Sequence, residues 1–177
     1  VAGAAVLLSA IFGYAYRPLL DGKTYYYKES DYFTIKLKKY PIKNGTAEGE
    51  ALILDNLIHS INDVNDPFFL DYDYIRIYEE LVSWQMRSRR SVDALFIGGG
   101  GYTFPRYMDA RYPGARIDVV EIDPEVTRVV YEYLGLPRGT SIRSFNEDGR
   151  WFVMNSKDKG RYDFIFGDAF NDLSIPY

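Results

Sequence analysis

The chain has 177 residues, of which 47% are hydrophobic and 17% aromatic, a composition typical of a folded globular protein rather than a disordered one. The net charge of −4 gives no basic surface of the kind that nucleic-acid binding requires, so we predict no nucleic-acid partner. Because the chain has no cysteine and one histidine, disulfides and the usual zinc ligands are excluded, and we predict no metal.

Residues 1–22 form a hydrophobic N-terminal segment that opens with 16 uncharged residues, VAGAAVLLSAIFGYAY. The run is shorter than the roughly 20 residues that cross a bilayer, and it lacks the basic start of a signal peptide. Two interpretations stay open: the end of a transmembrane helix, which the lack of a polar stripe favours, and a buried helix. The first predicts a membrane-associated protein with a soluble cytoplasmic part, and the second a cytoplasmic protein.

Residues 23–70 are predicted to form a small β-hairpin domain. The stretches YFTIKL and EALILD are rich in β-branched and aromatic residues, and the turn-like stretch KNGTAEGE separates them. Within LILDNLIHSIND, Asp55 and Asn56 indicate a turn between two short strands.

A helix is predicted over residues 71–86, followed by a linker that ends at residue 91. Its apolar residues recur at helical intervals, which indicates one buried face. The predicted face consists of Tyr74, Ile77, Tyr78, Leu81, Val82 and Met86.

Residues 92–177 alternate short apolar runs, ALFIG, RIDVVEI, SIRSF and YDFIFGD, with helical stretches. Near-continuous apolar runs of this kind are typical of a parallel sheet covered on both faces. Asp123 can cap a helix that has Pro124 at its first position, and Gly135 follows its last periodic residue. We therefore predict an α/β fold with a doubly wound parallel sheet, whose later strands lie beyond residue 177.

Four consecutive glycines follow the first parallel strand, and they predict a loop whose backbone a ligand can approach closely. Their spacing is not that of the dinucleotide fingerprint, and one or two of them have a purely structural explanation in a tight turn. The predicted ligand-binding loop consists of Gly98, Gly99, Gly100 and Gly101.

Carboxylates stand at the ends of the next three predicted strands. Glu121, with Ile122 after it, lies where such folds place an acid that grips both ribose hydroxyls, or it is a solvated strand end. Asp148, followed by Gly149, can accept from an adenine amine or cap the next helix. Asp168 can hold a cationic amine and take its proton as the amine attacks a carbon beside a sulfonium, or it is a turn residue.

Together the glycine loop and the two nucleoside-facing acids predict an adenosine-bearing ligand. The glycine loop contains no lysine, which disfavours a nucleoside triphosphate. A nucleoside with a sulfonium group fits this loop better than a triphosphate does, because it has no phosphates for the loop to bind.

The stretches IGGGG, VVEIDPEV, EDGRWF and YDFIFGDAFND, with LILDNLIHS and DYIRIYEEL upstream, resemble the ordered motifs of the spermidine synthase (polyamine aminopropyltransferase) family over roughly residues 28–177. The hydrophobic segment resembles the membrane-attached branch of that family. The resemblance implies a Rossmann-like, methyltransferase-type sheet. It also implies transfer of an aminopropyl group from decarboxylated S-adenosylmethionine to an amine such as putrescine, with no permanently bound cofactor.

By the same resemblance, Glu121 binds the ribose, Asp148 the adenine, and Asp168 is the general base. His59 falls where the family usually has a glutamine that contacts the nucleoside, although a lone histidine is more often a satisfied core or surface residue. Tyr72 and Tyr74 are candidates for the tyrosine of the amine channel, and helix packing is the alternative for both.

Two positions depart from the family pattern. The family has an aspartate after three glycines, which helps to hold the aminopropyl ammonium, and this chain has Gly101 there. The family's second aspartate after the base is Asn171, and the neighbouring Asp172 is the candidate replacement. The nucleoside half of the site is therefore better preserved than the amine half.

Three functions follow from these patterns. The first is aminopropyl transfer, for which the resemblance implies a homo-oligomer built through the N-terminal region and a small-molecule amine as acceptor. The second is methyl transfer from S-adenosylmethionine itself, and the third is a non-catalytic nucleoside-binding domain of a membrane protein.

Overall fold

The computed structural model describes residues 22–89, 91–157 and 160–169. The first part is an antiparallel sheet in the order β1-β2-β3-β4. Its strands are β1 (Thr24–Glu29), β2 (Thr34–Ile42), β3 (Ala47–Leu54) and β4 (Leu57–Asn62). The turn predicted at Asp55–Asn56 is confirmed, because Leu54 pairs with Leu57 across it and Asp55 has a φ of 54°.

Helix α1 (Asp73–Gln85) follows the sheet and confirms the predicted helix. Its predicted buried face was wrong at three positions, since Ile77 and Leu81 are more than half exposed and Tyr74 is 37% exposed. The stripe that packs on the core is rotated and contains Ile75 and Val82, seven residues apart, which places them on one face of the helix.

A second sheet is parallel throughout and has the strand order β7-β6-β5-β8. Its strands are β5 (Asp93–Ile97), β6 (Arg116–Val120), β7 (Arg143–Phe145) and β8 (Phe164–Gly167). The connecting helices are α2 (Thr103–Arg111), α3 (Pro124–Tyr133) and α4 (Gly149–Asn155). The predicted α/β fold with a parallel sheet is confirmed.

The local signals around α3 act as the sequence predicts. The side chain of Asp123 accepts a hydrogen bond of 2.8 Å from the backbone N–H of Glu125, and Pro124 is the first helical residue. Gly135 has a φ of +78° just after the helix, a conformation that glycine adopts without steric cost.

Strand order decides where a ligand can bind. The chain runs from β5 outwards to β7 and then returns to place β8 on the other side of β5. The strand order therefore reverses between β5 and β8, which makes this a topological switch point. Such a switch point opens a crevice at the carboxyl ends of the strands, where ligands bind in open α/β sheets.

Asn62, at the end of β4, connects the antiparallel sheet to the glycine loop. Its side chain is fully buried. Its Nδ2 donates to the carbonyl oxygens of Gly101, at 2.7 Å, and Leu134, at 3.3 Å, while its Oδ1 accepts from the Thr103 hydroxyl at 2.6 Å. One amide thus fixes the loop against the first sheet.

Replacing Asn62 by alanine is expected to lower the free energy of unfolding by about 1–3 kcal/mol, because the variant leaves buried polar partners unpaired. Chemical denaturation measures the change. Asn65→Ala is the matched control, since this residue is exposed and only its backbone N–H makes a described bond, and it should change stability by less than about 0.5 kcal/mol. Equal stabilities of the two variants would contradict the linking role of Asn62.

Among the described residues, no helix has the length and apolar character needed to cross a membrane. The hydrophobic segment predicted over 1–22 lies, apart from Gly22, outside the described residues.

Candidate functional site

The glycine loop begins at the switch point. Gly98 has a φ of +95°, and a Cβ atom at this position would lie 2.4 Å from the carbonyl oxygen of Asp168. Its backbone N–H donates to the Val120 carbonyl at 2.8 Å. Glycine is therefore required at position 98, both for the backbone conformation and for the close approach of the segment after β8.

Glu121, which follows β6, is a buried carboxylate held by the backbone. Its Oε2 accepts from the N–H groups of Gly99, at 2.8 Å, and Gly100, at 3.2 Å, and its Oε1 accepts from Asp123 at 3.0 Å. Burial raises the pKa of Glu121, and the three backbone hydrogen bonds act in the opposite direction. Because a carboxylate offers about four acceptor positions, one remains on Oε1 for a ligand hydroxyl.

A cavity of about 210 Å³ opens at the carboxyl ends of the strands. We call it the nucleoside cavity, and it brings together residues from both sheets. Eight of the residues that the sequence predicted for the site line it: His59, Gly98, Gly100, Glu121, Ile122, Asp148, Gly149 and Asp168. Phe33, directly before β2, and Leu54 of β3 also line it. Sequence reasoning missed both residues, because their position in the cavity depends on how the two sheets pack together.

Asp148 has the capping role that the sequence left open. Its Oδ1 accepts from the backbone N–H of Trp151 at 2.8 Å, at the start of α4. The residue is exposed at the wall of the nucleoside cavity, and its Oδ2 is not used by the cap. Capping is thus confirmed, and contact with an adenine amine stays a prediction that this geometry allows.

Asp168 lies between the nucleoside cavity and a second, smaller cavity of about 30 Å³, which we call the tail cavity. The Tyr74 hydroxyl donates to its Oδ2 at 3.1 Å. Burial of the carboxyl group raises the pKa of Asp168, while the Tyr74 hydrogen bond and the charge of His59 lower it. The pKa of Tyr78, also at this cavity, is raised by burial and then by Asp168.

The two tyrosines predicted for an amine channel separate in space. Tyr74 lines the tail cavity, whereas Tyr72 lines neither cavity. The Tyr72 hydroxyl instead donates to the Ile58 carbonyl at 3.0 Å, although its ring centre is 5.9 Å from that of Tyr74. Tyr74 is therefore the better placed candidate for contact with a ligand.

The remaining predicted residues divide into two groups. Gly99 and Gly101 line the tail cavity. Asn171 and Asp172 lie outside the described residues, so their part in the site stays a prediction.

A parallel sheet with a glycine loop after its first strand and a buried carboxylate after its second defines the methyltransferase-like, Rossmann-type class of nucleoside-binding folds. No family model matches the chain. It is 37% identical over 83 residues to a polyamine aminopropyltransferase of Vibrio vulnificus, covering 46% of this chain and 28% of the relative. A polyamine aminopropyltransferase of Chromobacterium violaceum is 31% identical over 119 residues, which are 67% of this chain and 44% of the relative.

Solved structures agree with these relatives. A probable spermidine synthase from Corynebacterium glutamicum is 25% identical, with a TM-score of 0.75 over 85% of this chain and 54% of its own. A spermidine synthase in complex with the transition state analogue AdoDATO matches at a TM-score of 0.61 over 86% of this chain and 48% of its own. At 18% identity the latter shows the fold alone.

The chain is therefore similar, in sequence and in fold, to polyamine aminopropyltransferases and spermidine synthases. The chain matches less than half the length of each curated relative described above.

Proposed function

We propose that the protein is an aminopropyltransferase, which moves the aminopropyl group of decarboxylated S-adenosylmethionine to an amine such as putrescine. The observation that carries the proposal is the position of Asp168 at the boundary between two adjoining cavities. The larger cavity contains the fixed carboxylate of Glu121, and the smaller one contains Tyr74. The names of the similar proteins, polyamine aminopropyltransferase and spermidine synthase, support the same reaction.

The chemistry follows from this arrangement. The adenosine part of the donor occupies the nucleoside cavity, with a ribose hydroxyl on Glu121, and its sulfonium lies near Asp168. The lone pair of the acceptor nitrogen attacks the carbon beside the sulfur, the carbon–sulfur bond breaks towards sulfur, and methylthioadenosine leaves. Asp168 accepts the proton that the new ammonium releases, which restores a neutral amine product.

Changing Tyr74 to phenylalanine is expected to move the acidic limb of the kcat/KM profile to higher pH. Asp168 must be ionised to act as base, and the Tyr74 hydrogen bond lowers its pKa, so removing that bond raises the pKa further. Activity then disappears at a higher pH as the solution is acidified, and kcat/KM at neutral pH falls by about tenfold, as expected for one hydrogen bond to a charged group.

The matched control is Tyr72→Phe, which removes a hydroxyl that is bonded to a backbone carbonyl outside both cavities. Its acidic limb should stay where it is in the unchanged protein. A Tyr74→Phe profile that superimposes on the control would show that Asp168 is not the group whose ionisation limits activity.

The proposal is tested by calorimetric titration of the full-length protein with decarboxylated S-adenosylmethionine, S-adenosylmethionine and methylthioadenosine. Tighter binding of the decarboxylated donor, together with formation of methylthioadenosine when putrescine is added, is the expected result. Binding of the nucleosides without turnover of any amine would support a non-catalytic nucleoside-binding domain. If none of the three ligands binds, both aminopropyl transfer and methyl transfer are contradicted.

Methyl transfer from intact S-adenosylmethionine is the second candidate. The absence of a side chain at Gly101 favours it, because no carboxylate there repels the carboxylate of the intact donor. Preference for the intact donor in the titration, with S-adenosylhomocysteine as product, would support this candidate instead.

Membrane attachment through residues 1–22 and a homo-oligomeric state complete the proposal. The uncharged N-terminal run and the resemblance to the membrane-attached branch support the first, and the resemblance alone supports the second. Separation of membrane and soluble fractions, and light scattering of the purified protein, test them independently of activity.

A further inference from the structure

Gly101 and Ser60 form a matched pair at the tail cavity. A Cβ atom at position 101 would lie 1.8 Å from the Ser60 hydroxyl oxygen and 2.5 Å from the Ser60 Cβ. Rotation of the hydroxyl would relieve the first contact, whereas the second involves an atom that the backbone of β4 fixes. Gly101 lacks a left-handed φ, so the backbone conformation there does not itself require glycine. Ser60 is what excludes a side chain at position 101.

Ser60 has a polar group without a partner. The residue is 2% exposed, and among the described residues its hydroxyl is buried with no hydrogen bond. A buried hydroxyl in this state costs free energy of folding unless a bound molecule pairs with it. The neighbouring Asn62 does not provide the bond, because its amide pairs with Gly101, Leu134 and Thr103 instead.

The cavity beside Ser60 has a suitable position and size for the end of the donor. The tail cavity and the nucleoside cavity share Gly98, Gly100, His59 and Asp168, so a chain that starts at the sulfur can pass from one to the other. A volume of about 30 Å³ accommodates one small polar group, such as an ammonium.

We propose that Ser60 binds the terminal ammonium of the donor's three-carbon chain as a neutral hydrogen-bond acceptor. It does so in the space where the spermidine synthase family has the carboxylate of position 101. This inference rests on the proposed aminopropyl transfer and identifies a further specificity-determining residue for it. With Ser60 in this role, the site binds the donor's ammonium without a charged side chain at position 101.

The experiment measures, by calorimetry on the full-length protein, the affinities for decarboxylated S-adenosylmethionine and for methylthioadenosine, which lacks the terminal amine. Ser60→Ala should weaken binding of the decarboxylated donor by about tenfold and leave methylthioadenosine binding unchanged, since only the donor has an ammonium to pair. Ser83→Ala is the matched control, because its hydroxyl bonds to Glu79 on helix α1 and not at either cavity. It should change neither affinity.

A second pair of variants tests the steric match. Gly101→Asp should lower the Tm by about 4 °C or more, because the new Cβ collides with Ser60. Adding Ser60→Gly removes both colliding atoms and should recover most of that loss. The double variant places a carboxylate at the tail cavity, and it should increase the preference for the decarboxylated over the intact donor by about tenfold or more.

The outcomes separate this inference from the proposed function. If the unchanged protein binds methylthioadenosine but Ser60→Ala affects both ligands equally or neither, Ser60 does not bind the ammonium and aminopropyl transfer still stands. A single Gly101→Asp variant as stable as the unchanged protein would overturn the steric pairing. If the unchanged protein binds neither ligand, the proposed function fails, and the inference fails with it.

Discussion

Replacement of Asp168 by asparagine should reduce kcat by about 10²- to 10⁴-fold, the usual contribution of a positioned general base. The amide keeps the shape of the carboxyl group and can still accept from Tyr74, whose hydroxyl lies 3.1 Å from Oδ2. It cannot take a proton from the attacking amine. Single-turnover kinetics with decarboxylated S-adenosylmethionine and putrescine measure the loss directly.

Two controls, a binding measurement on the same variant and a second variant at an exposed carboxylate, are needed to interpret this loss of kcat. Methylthioadenosine should bind the Asp168→Asn variant as tightly as the unchanged protein, because the substitution leaves Glu121 and the glycine loop intact. Asp31→Asn, which neutralises an exposed carboxylate in the turn between β1 and β2, should retain full activity. If the Asp168 variant retains more than about a tenth of kcat, water or another group, and not Asp168, accepts the proton of the attacking amine.

The parts of the fold that could be predicted from sequence are those determined by neighbouring residues. The cap at Asp123, the proline at 124 and the left-handed glycine at 135 each act within one turn of helix α3, so their residue types alone locate its ends. The turn at Asp55–Asn56 is equally local. In the same way, an acid directly after an apolar run predicts a carboxylate at the carboxyl end of a strand, as at Glu121.

The contacts that sequence reasoning missed depend on how distant segments pack. The Ser60 hydroxyl and Gly101 meet across 41 positions of sequence, and nothing local to either residue indicates the contact. Tyr72 and Tyr74 carry the same side chain two residues apart. Tyr72 has extended backbone angles just before α1, whereas Tyr74 lies within the helix, so their hydroxyls point to different partners.

Helix periodicity also has a limit that α1 illustrates. Its apolar residues occupy more than one face, and the exposed Ile77 and Leu81 fit a helical repeat as well as the buried Ile75 and Val82 do. Periodicity therefore predicts that a helix forms, while the packing of the β sheets decides which of its faces is buried.

Glu121→Gln is expected to weaken methylthioadenosine binding by about 10- to 100-fold, which corresponds to the loss of a hydrogen bond from a ribose hydroxyl to a charged acceptor. The carboxylate already accepts from three backbone N–H groups, those of Gly99, Gly100 and Asp123. A glutamine has one acceptor oxygen. If that oxygen pairs with Gly99 and Gly100, the amide nitrogen faces the Asp123 N–H and can accept neither from it nor from ribose.

The same argument predicts a loss of stability, so the two effects must be measured together. The unpaired Asp123 N–H should lower the free energy of unfolding by about 1–3 kcal/mol, which thermal unfolding without ligand reports. Glu147→Gln is the control, because this acid stands one residue before Asp148 but does not line the nucleoside cavity. If Glu121→Gln loses stability yet binds methylthioadenosine within about threefold of the unchanged protein, Glu121 organises the glycine loop and does not contact the ribose.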